Sequence, residues 1–423
     1  LKFKSIKGTK DILPSESHRW QYLERLVRNV MNVFNYREIR TPIFEETSLF
    51  ARGIGELTDI VGKEMYTFED RSKTLLTLKP EMTASVVRAF IEHNLGEQQP
   101  LAKVYYMSPM FRQERPQAGR LRQFHQYGAE AIGGSRPEID AEVISLAMQV
   151  YARAGVVNTT LRINSVGCEV CRPAYKVLLQ EFLRSVIDRL SEESKRRFDQ
   201  NPLRILDSKD ENDRQLTAGA PLMKDHLCAE CAGHFDGLLH ALRRFEVPFE
   251  IDGRIVRGLD YYTKTAFEIT CSDLGSQDAL AGGGRYDLLA LELGGKQTPA
   301  VGFAAGFERL LLVMEKQQLK GVADSVPRIF LVAADDAGRD WVLTWSGRLR
   351  AAGIACEMDL LRRSIKAQMR EADRQQAEFV IVAGSSELEK REFILKSMKH
   401  RTAETIREED LLGRLQPAPD PAK

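Results

Sequence analysis

The sequence predicts a chain in three parts: an α+β region over residues 1–325, a helical insertion inside it at 168–245, and a C-terminal α/β module over 326–423. Three observations carry this. The runs KVYYMSPMFRQE and LRQFHQYGAE read as two strands joined by the loop RPQAGR. From Cys168 to Phe245 the pattern is helical and highly charged, bracketed by CEVC and CAEC. After Pro327, RIFLVAA, a helical stretch at 340–351, IACEM, SIKAQMREADRQQ and FVIVAG alternate as β-α-β-α-β, the signature of a small parallel-sheet module. A chain of 423 residues also exceeds one ordinary core.

Composition narrows the class. Hydrophobic residues at 43% and charged residues at 29% are the balance of a soluble globular protein. No apolar run reaches the roughly 18 to 20 residues that span a bilayer, and LKFKSIKGTK has no apolar signal core, so no membrane partner and a cytoplasmic location are expected. A formal net charge of +1 excludes a global basic field, so any nucleic-acid contact must be local.

Element by element, Trp20, Leu23, Val27, Val30 and Phe34 give one apolar helical face after Pro14. YREIRTPIFEE reads as extended up to Pro42, and the stretch with Gly53, Gly55 and Gly62 as loop. TLLTLKPEMTASVVRAFIEHN is a strand turning at Pro80 into a helix whose first turn holds Glu81. Ile139, Val143, Leu146 and Val150 mark a helix, and TTLRINS a strand. Strands return in FEIDGRIVRGLDYY and TKTAFEIT, GSQDALAGGGRYD supplies a glycine-rich turn, and AVGFAAGFERLLLVMEK is a strand feeding an amphipathic helix. QPAPDPAK is a proline-rich, disordered tail.

The hairpin carries the most chemistry. Alternation in its second strand places Arg122, Phe124, Gln126, Gly128 and Glu130 on one face, with Gln123, His125 and Tyr127 on a second, solvated one. Arg112 and Glu114 share a face of the first strand. A guanidinium grips phosphate oxygens as a bidentate fork while a phenyl ring stacks on a flat base, so this face suits a nucleotide. GGGRYD is not a phosphate loop of the GxxxxGK[ST] kind, no early GxGxxG follows a strand, and no nucleophile–histidine constellation stands out.

Four segments together resemble the class II aminoacyl-tRNA synthetases: YREIRTPIFE their dimer-forming motif 1, FRQERPQAGRLRQFHQYGAE motif 2, and AVGFAAGFERLLL motif 3. RGLDYYTKTAFE and AGGGRYDLLALELGG are similar to signatures of the histidine-specific family within that class. The resemblance covers nearly the whole chain and implies a mostly antiparallel catalytic sheet, a C-terminal α/β anticodon-binding domain and a homodimer. It implies ATP-dependent ligation of L-histidine to tRNA(His) through a histidyl-adenylate, with Mg2+ beside the phosphates. By the same resemblance Arg112, Glu114, Phe124 and Arg309 hold ATP, and Glu81, Thr83, Gln126, Glu130, Tyr261, Tyr262 and Tyr286 bind histidine. Arg257 is the catalytic cation between the substrate carboxylate and the α-phosphate, with Arg112 assisting. Arg115, Gln117, Arg120 and Arg122 approach the tRNA acceptor end, and Arg362, Arg363 and Lys366 are candidate anticodon-arm contacts or a solvated helix start.

Lys79-Pro80-Glu81 departs from the usual Arg-Pro-Glu, and Met82 stands where glycine is common. CEVC and CAEC fit a zinc pattern, although their separation exceeds that of an ordinary zinc ribbon and the family's chemistry does not require zinc; reduced cysteines packed where the insertion joins the core are the other reading. No metal-binding residue is assigned from the sequence. The alternative function is a catalytically silent, synthetase-like regulatory subunit of ATP phosphoribosyltransferase.

Overall fold

The computed structural model describes residues 3–55, 60–116, 119–256, 259, 261–319 and 326–416. Contacts divide the chain into two units, Leu1–Val322 and Ala323–Lys423. The expected disordered tail lies almost wholly outside the described residues.

In the first unit, spacing of three and four residues buries Leu23, Val27, Val30 and Met31 along α1 (Pro14–Val33). Short β1 (Arg37–Glu38) and β2 (Phe44–Glu46) follow. The stretch expected to be loop is helical over α2 (Thr47–Ile54), and Gly55, at φ 101°, ends it. Gly53 sits inside that helix because its missing side chain admits α3 (Thr83–Glu92): an added Cβ would stand 3.3 Å from that of Ala84. β3 (Tyr66–Glu69) and β4 (Leu75–Leu78) join β2 in a three-stranded sheet, and α4 (Leu95–Gln98) follows α3.

Among the described residues, eight strands form the main sheet in the order β1-β5-β6-β11-β10-β9-β7-β8. Its members are β5 (Ala102–Phe111), β6 (Gln123–Ile132), β7 (Thr159–Ser165), β8 (Glu250–Ile251), β9 (Thr263–Cys271), β10 (Ala279–Arg285) and β11 (Ala300–Gly306), with β1 at one edge. The inner pairings are antiparallel and both edge pairings parallel, so the sheet is mixed. Two local expectations are corrected. Among its described residues FEIDGRIVRGLDYY contributes only the two residues of β8, and the glycine run expected to be a turn is the middle of β10. A Cβ on Gly283 would meet the Gly302 carbonyl at 2.2 Å, and one on Gly284 the Thr265 carbonyl at 2.4 Å and the Tyr262 ring at 2.8 Å. Glycine here serves close packing across strands, not a bend.

One face of this sheet is covered by α1, α5 (Pro137–Arg153), α10 (Ala229–Arg244) and α12 (Phe307–Lys316) around one apolar core. A second cluster joins Met82, Val86 and Tyr106 to Tyr261, Tyr262 and Tyr286, with α11 (Leu289–Glu292) alongside. The charged stretch between the cysteine pairs folds as α6 (Arg172–Arg184), α7 (Glu192–Gln200), α8 (Leu203–Leu206) and α9 (Glu211–Leu216), leading into α10, with its own core around Tyr175, Leu179, Leu183 and Ile205.

The second unit has β12 (Ile329–Ala333), α13 (Asp336–Ala351), β13 (Cys356–Met358), α14 (Ile365–Arg374) and β14 (Phe379–Ala383), the β-α-β-α-β expected. β13, β12 and β14 are parallel neighbours. After α15 (Ser385–Lys390), β15 (Glu392–Ser397) and β16 (Ala403–Arg407) extend the sheet antiparallel, ahead of α16 (Leu411–Leu415). This hairpin was missed in the sequence, although buried Phe393 and Leu395 around exposed Ile394 carry the two-residue period.

Candidate active site

The cleft is floored by the main sheet and its volume is about 1170 Å³. Arg112, Phe124, Gln126, Tyr262, Tyr286 and Arg309 line it, and Arg197, Arg204 and Arg214 of the insertion also reach its wall.

Behind the lining residues Thr83, Tyr286 and Gly302 at its inner end, Glu130 is fully buried. The Thr83 hydroxyl donates to Glu130 Oε1 at 2.9 Å, and the Tyr286 hydroxyl to Oε2 at 2.5 Å. Gly302 lies opposite Glu130 on β11, and a Cβ there would fall 1.5 Å from Oε2, so the carboxyl occupies space that only glycine leaves. Burial pushes the Glu130 carboxyl up to about 8, only partly offset by the hydrogen bonds from Tyr286 and Thr83, which favours its protonated form. Tyr261 packs 4.7 Å from Tyr262 and 5.6 Å from Tyr286, ring to ring, closing the pocket with apolar faces.

Glu81 stands just ahead of α3 instead of in its first turn. Its carboxylate accepts from the backbone N–H groups of Thr83 at 2.7 Å and Ala84 at 2.8 Å, capping the helix and fixing Thr83 toward Glu130. Burial pushes its carboxyl above the usual range. Gln126 Oε1 is buried with no hydrogen-bond partner among the described residues, a cost of about 1–3 kcal/mol that a donor from a ligand would remove.

The outer end is built from arginines. β5 stops at Phe111, so Arg112 and Glu114 lie beyond the strand and not on a face of it as expected. Arg112 Nε donates to the Pro80 carbonyl at 2.9 Å, and its guanidinium lies over the Phe124 ring at 5.2 Å. Arg120 donates to Glu114 at 3.0 Å, with Arg112 3.9 Å from the same carboxylate. Arg309, in the first turn of α12, donates to the Ala279 carbonyl and, at 3.5 Å, to that of Gly119. Burial and the nearby positive charge of Arg120 lower its affinity for its proton. Arg115 is exposed, whereas Arg122 donates to the Glu114 carbonyl at 3.4 Å and packs under Gly8. Gln117 and Arg257, two residues singled out from the sequence, lie outside the described residues.

The reverse face of β6 is not solvated as expected. Tyr127 is fully buried, and His125 stacks edge-on against Trp20 at 4.9 Å while its Nδ1 meets Glu308 at 2.9 Å. Helices α1 and α12 cover that face, so His125 pairs within the protein.

A further buried cluster was missed. Arg285 of the GGGRYD run is fully buried, paired with Asp140 and, at 3.0 Å, with Asp287. Asp140 also accepts from Thr265 at 2.5 Å and meets His234 Nε2 at 2.7 Å, tying α5, α10, β9 and β10 together beneath the site. Nothing in the local sequence pairs residues 145 apart.

Comparison with known proteins adds the family. The profile described as Histidyl-tRNA synthetase matches residues 8–310. The chain belongs to the histidyl-tRNA synthetase family. An Anticodon binding domain profile matches residues 331–417, the region of the second unit. A histidine–tRNA ligase of Chloroherpeton thalassium is 50% identical over 98% of both chains, and one of Caldanaerobacter subterraneus is 49% identical over 93% of this chain and 95% of its own. The apo histidyl-tRNA synthetase of S. aureus superposes with a TM-score of 0.84 at 37% identity, covering 98% of this chain and 99% of that one. Within the histidyl-tRNA synthetase unit matched as anticodon-binding, Arg362 and Lys366 are exposed, while Arg363 is engaged by Asp359 at 2.5 Å and Glu371 at 3.4 Å.

Proposed function

We propose that the Glu130 pocket holds the imidazole of L-histidine and that the arginine-lined end of the same cleft holds ATP. The chain is a histidine–tRNA ligase that charges tRNA(His), and ATP is a substrate. One observation carries the residue assignment: a fully buried carboxyl held by the hydroxyls of Thr83 and Tyr286, which themselves line a cleft whose other end is cationic.

An imidazole offers one nitrogen donor and one acceptor. Glu130 meets one nitrogen, sharing or passing its proton, and Tyr262 meets the other. The orphaned Gln126 Oε1 accepts a hydrogen bond from the α-ammonium, and Thr83 and Tyr286 hold Glu130 in place. Glu81 supports Thr83 while facing the same ammonium, and Tyr261 packs behind Tyr262. A pocket that hydrogen-bonds its substrate rejects analogues lacking those atoms by as much as ~10⁴ to 10⁵-fold, because its own polar groups are left unpaired.

Adenine stacks on Phe124, Arg112 grips the α-phosphate, and Arg309 lies on the opposite side of the nucleotide toward the γ-phosphate. The histidine carboxylate is already ionised and needs no general base. It attacks the α-phosphorus, the bond to the bridging oxygen breaks, and pyrophosphate leaves. Arg257 and Arg112 offset the negative charge that builds on the phosphoryl oxygens. A terminal ribose hydroxyl of tRNA(His) then takes the histidyl group and releases AMP. Glu114 and Glu268 line the cleft with hard oxygen donors of the kind Mg2+ takes beside substrate phosphates.

Arg115, Gln117, Arg120 and Arg122 meet the acceptor end, and Arg362, Arg363 and Lys366 the anticodon arm. Exposed Phe44 and Phe68, in ring contact at 6.4 Å on the three-stranded sheet, favour a homodimer of this cytoplasmic enzyme. No helix among the described residues is long and apolar enough to cross a membrane.

Histidine-dependent exchange of labelled pyrophosphate into ATP tests the reading. Exchange is expected in the wild type and its near-complete loss in Arg257→Ala. A chain that binds histidine without exchange would favour the regulatory alternative, which the relatives at about half identity do not support.

A further inference from the structure

The two cysteine pairs, 60 residues apart in sequence, meet in space. Cys168 and Cys171 lie between β7 and α6, where the insertion leaves the sheet; Cys228 caps the N-terminus of α10 and Cys231 sits in its first turn, where the chain returns. All four sulfurs fall within 4.8 Å of one another. Cys168 and Cys171 are 3.7 Å apart, Cys168 and Cys228 3.8 Å, and Cys171 and Cys231 3.8 Å. None of these is a disulfide, whose sulfurs are bonded at about 2.05 Å. Four sulfurs placed about 2.3 Å from one central ion at tetrahedral angles stand about 3.8 Å from each other. Those three separations match that edge, and the remaining pairs stay within 4.8 Å. They are also too short for a four-iron cluster, which would hold its cysteines well apart around a larger body.

We propose that Cys168, Cys171, Cys228 and Cys231 bind one zinc ion as a closed structural site that fastens the two ends of the insertion to each other.

The surroundings suit thiolates. The backbone N–H of Cys168 points at Cys171 Sγ at 3.2 Å, a donor that stabilises charge on sulfur. Gly167, at φ 68°, turns the chain so that the first pair faces inward, and a Cβ there would meet Cys171 Sγ at 2.9 Å and the Met223 methyl at 2.4 Å. Cys171 and Cys231 are buried while Cys168 and Cys228 are half-buried, leaving an entry path. Four protein ligands leave no open coordination position, so the ion takes no part in the chemistry. Its reach is positional: Arg172, next to Cys171, donates to the Val166 carbonyl at 2.8 Å and to the carbonyl of Tyr262 at the pocket.

The test is elemental analysis of the full chain purified under reducing conditions without chelator. About one zinc per chain is expected, falling below about a tenth in Cys168→Ser and in Cys228→Ser. Because a serine variant could fail to fold, the wild-type chain stripped of metal and reduced is also titrated with Co(II). Saturation at about one equivalent, with the visible absorption and sulfur-to-cobalt charge-transfer bands of a tetrahedral thiolate site, supports the proposal. Metal-free protein whose thiols give no such bands overturns it, as does one equivalent of iron in place of zinc. Neither result bears on the reaction assigned above.

Discussion

The inner and outer ends of the β5–β6 hairpin both gather polar side chains, to opposite effect. At the inner end Glu130, Thr83, Tyr286 and Glu81 are buried, bonded to each other and held by glycine on the next strand. At the outer end Arg112, Arg120 and Arg309 are half-buried and lean on carbonyls and on Glu114, partners that an anionic ligand can replace. On the proposed assignment, the contrast follows from what each end would read. A small side chain is distinguished by fixed polar atoms in a dry pocket, where an unmatched group is costly. Phosphates and RNA are large anions whose binding gains little from burying cations in advance, because an unpaired buried charge is costly.

The comparison can be broken first at Gly302. Placing a methyl 1.5 Å from Glu130 Oε2 forces that carboxyl aside, so Gly302→Ala is expected to raise the histidine KM on the order of 10²-fold. Steady-state exchange at varied histidine and ATP measures it, with the ATP KM expected to change little. Equal effects on both would mean that the two ends are not independent.

A smaller effect comes from the proton on Glu130. Its carboxyl lies near 4.5 in the unfolded chain and about 8 in the folded one, so the folded state binds the proton more tightly. The stability this contributes is full below about pH 4.5, declines as pH rises, and is gone above about 8. Without histidine, the Tm of the wild type relative to Glu130→Gln should fall across that window. A flat difference would place Glu130 in a wetter setting.

The smallest effect belongs to the reverse face. His125→Ala removes the contact with Glu308 and is expected to cost about 1 kcal/mol in denaturant unfolding, while leaving the KM for histidine and ATP unchanged.

The sequence was most informative where chemistry is local. The alternation in LRQFHQYGAE placed Phe124, Gln126 and Glu130 on one side of β6, and the cleft lies there. It misled where a residue answers to a distant strand or helix. The glycines of β10 and Gly302 exist for side chains and carbonyls of neighbouring strands, which no local pattern contains, so the run looked like a turn. Gly53 misled likewise, since α3 approaches it from 31 residues away. His125 read as solvated because alternation distinguishes two faces but does not tell which of them a helix will cover. The Asp140–Arg285 pair was illegible for the same reason, as were the sulfur separations between the two CxxC pairs.

The central claim is that one hairpin reads histidine at its inner end and ATP at its outer end. Pyrophosphate exchange by Glu130→Gln and Arg112→Ala, each with histidine and ATP varied separately, tests it most directly. Glu130→Gln is expected to lower kcat/KM for histidine by about 10²-fold or more while moving the ATP KM less than about 3-fold. Arg112→Ala should lower kcat by about 10² to 10³-fold and raise the ATP KM, with the histidine KM nearly unchanged. Parallel losses for both substrates in both variants would contradict the division.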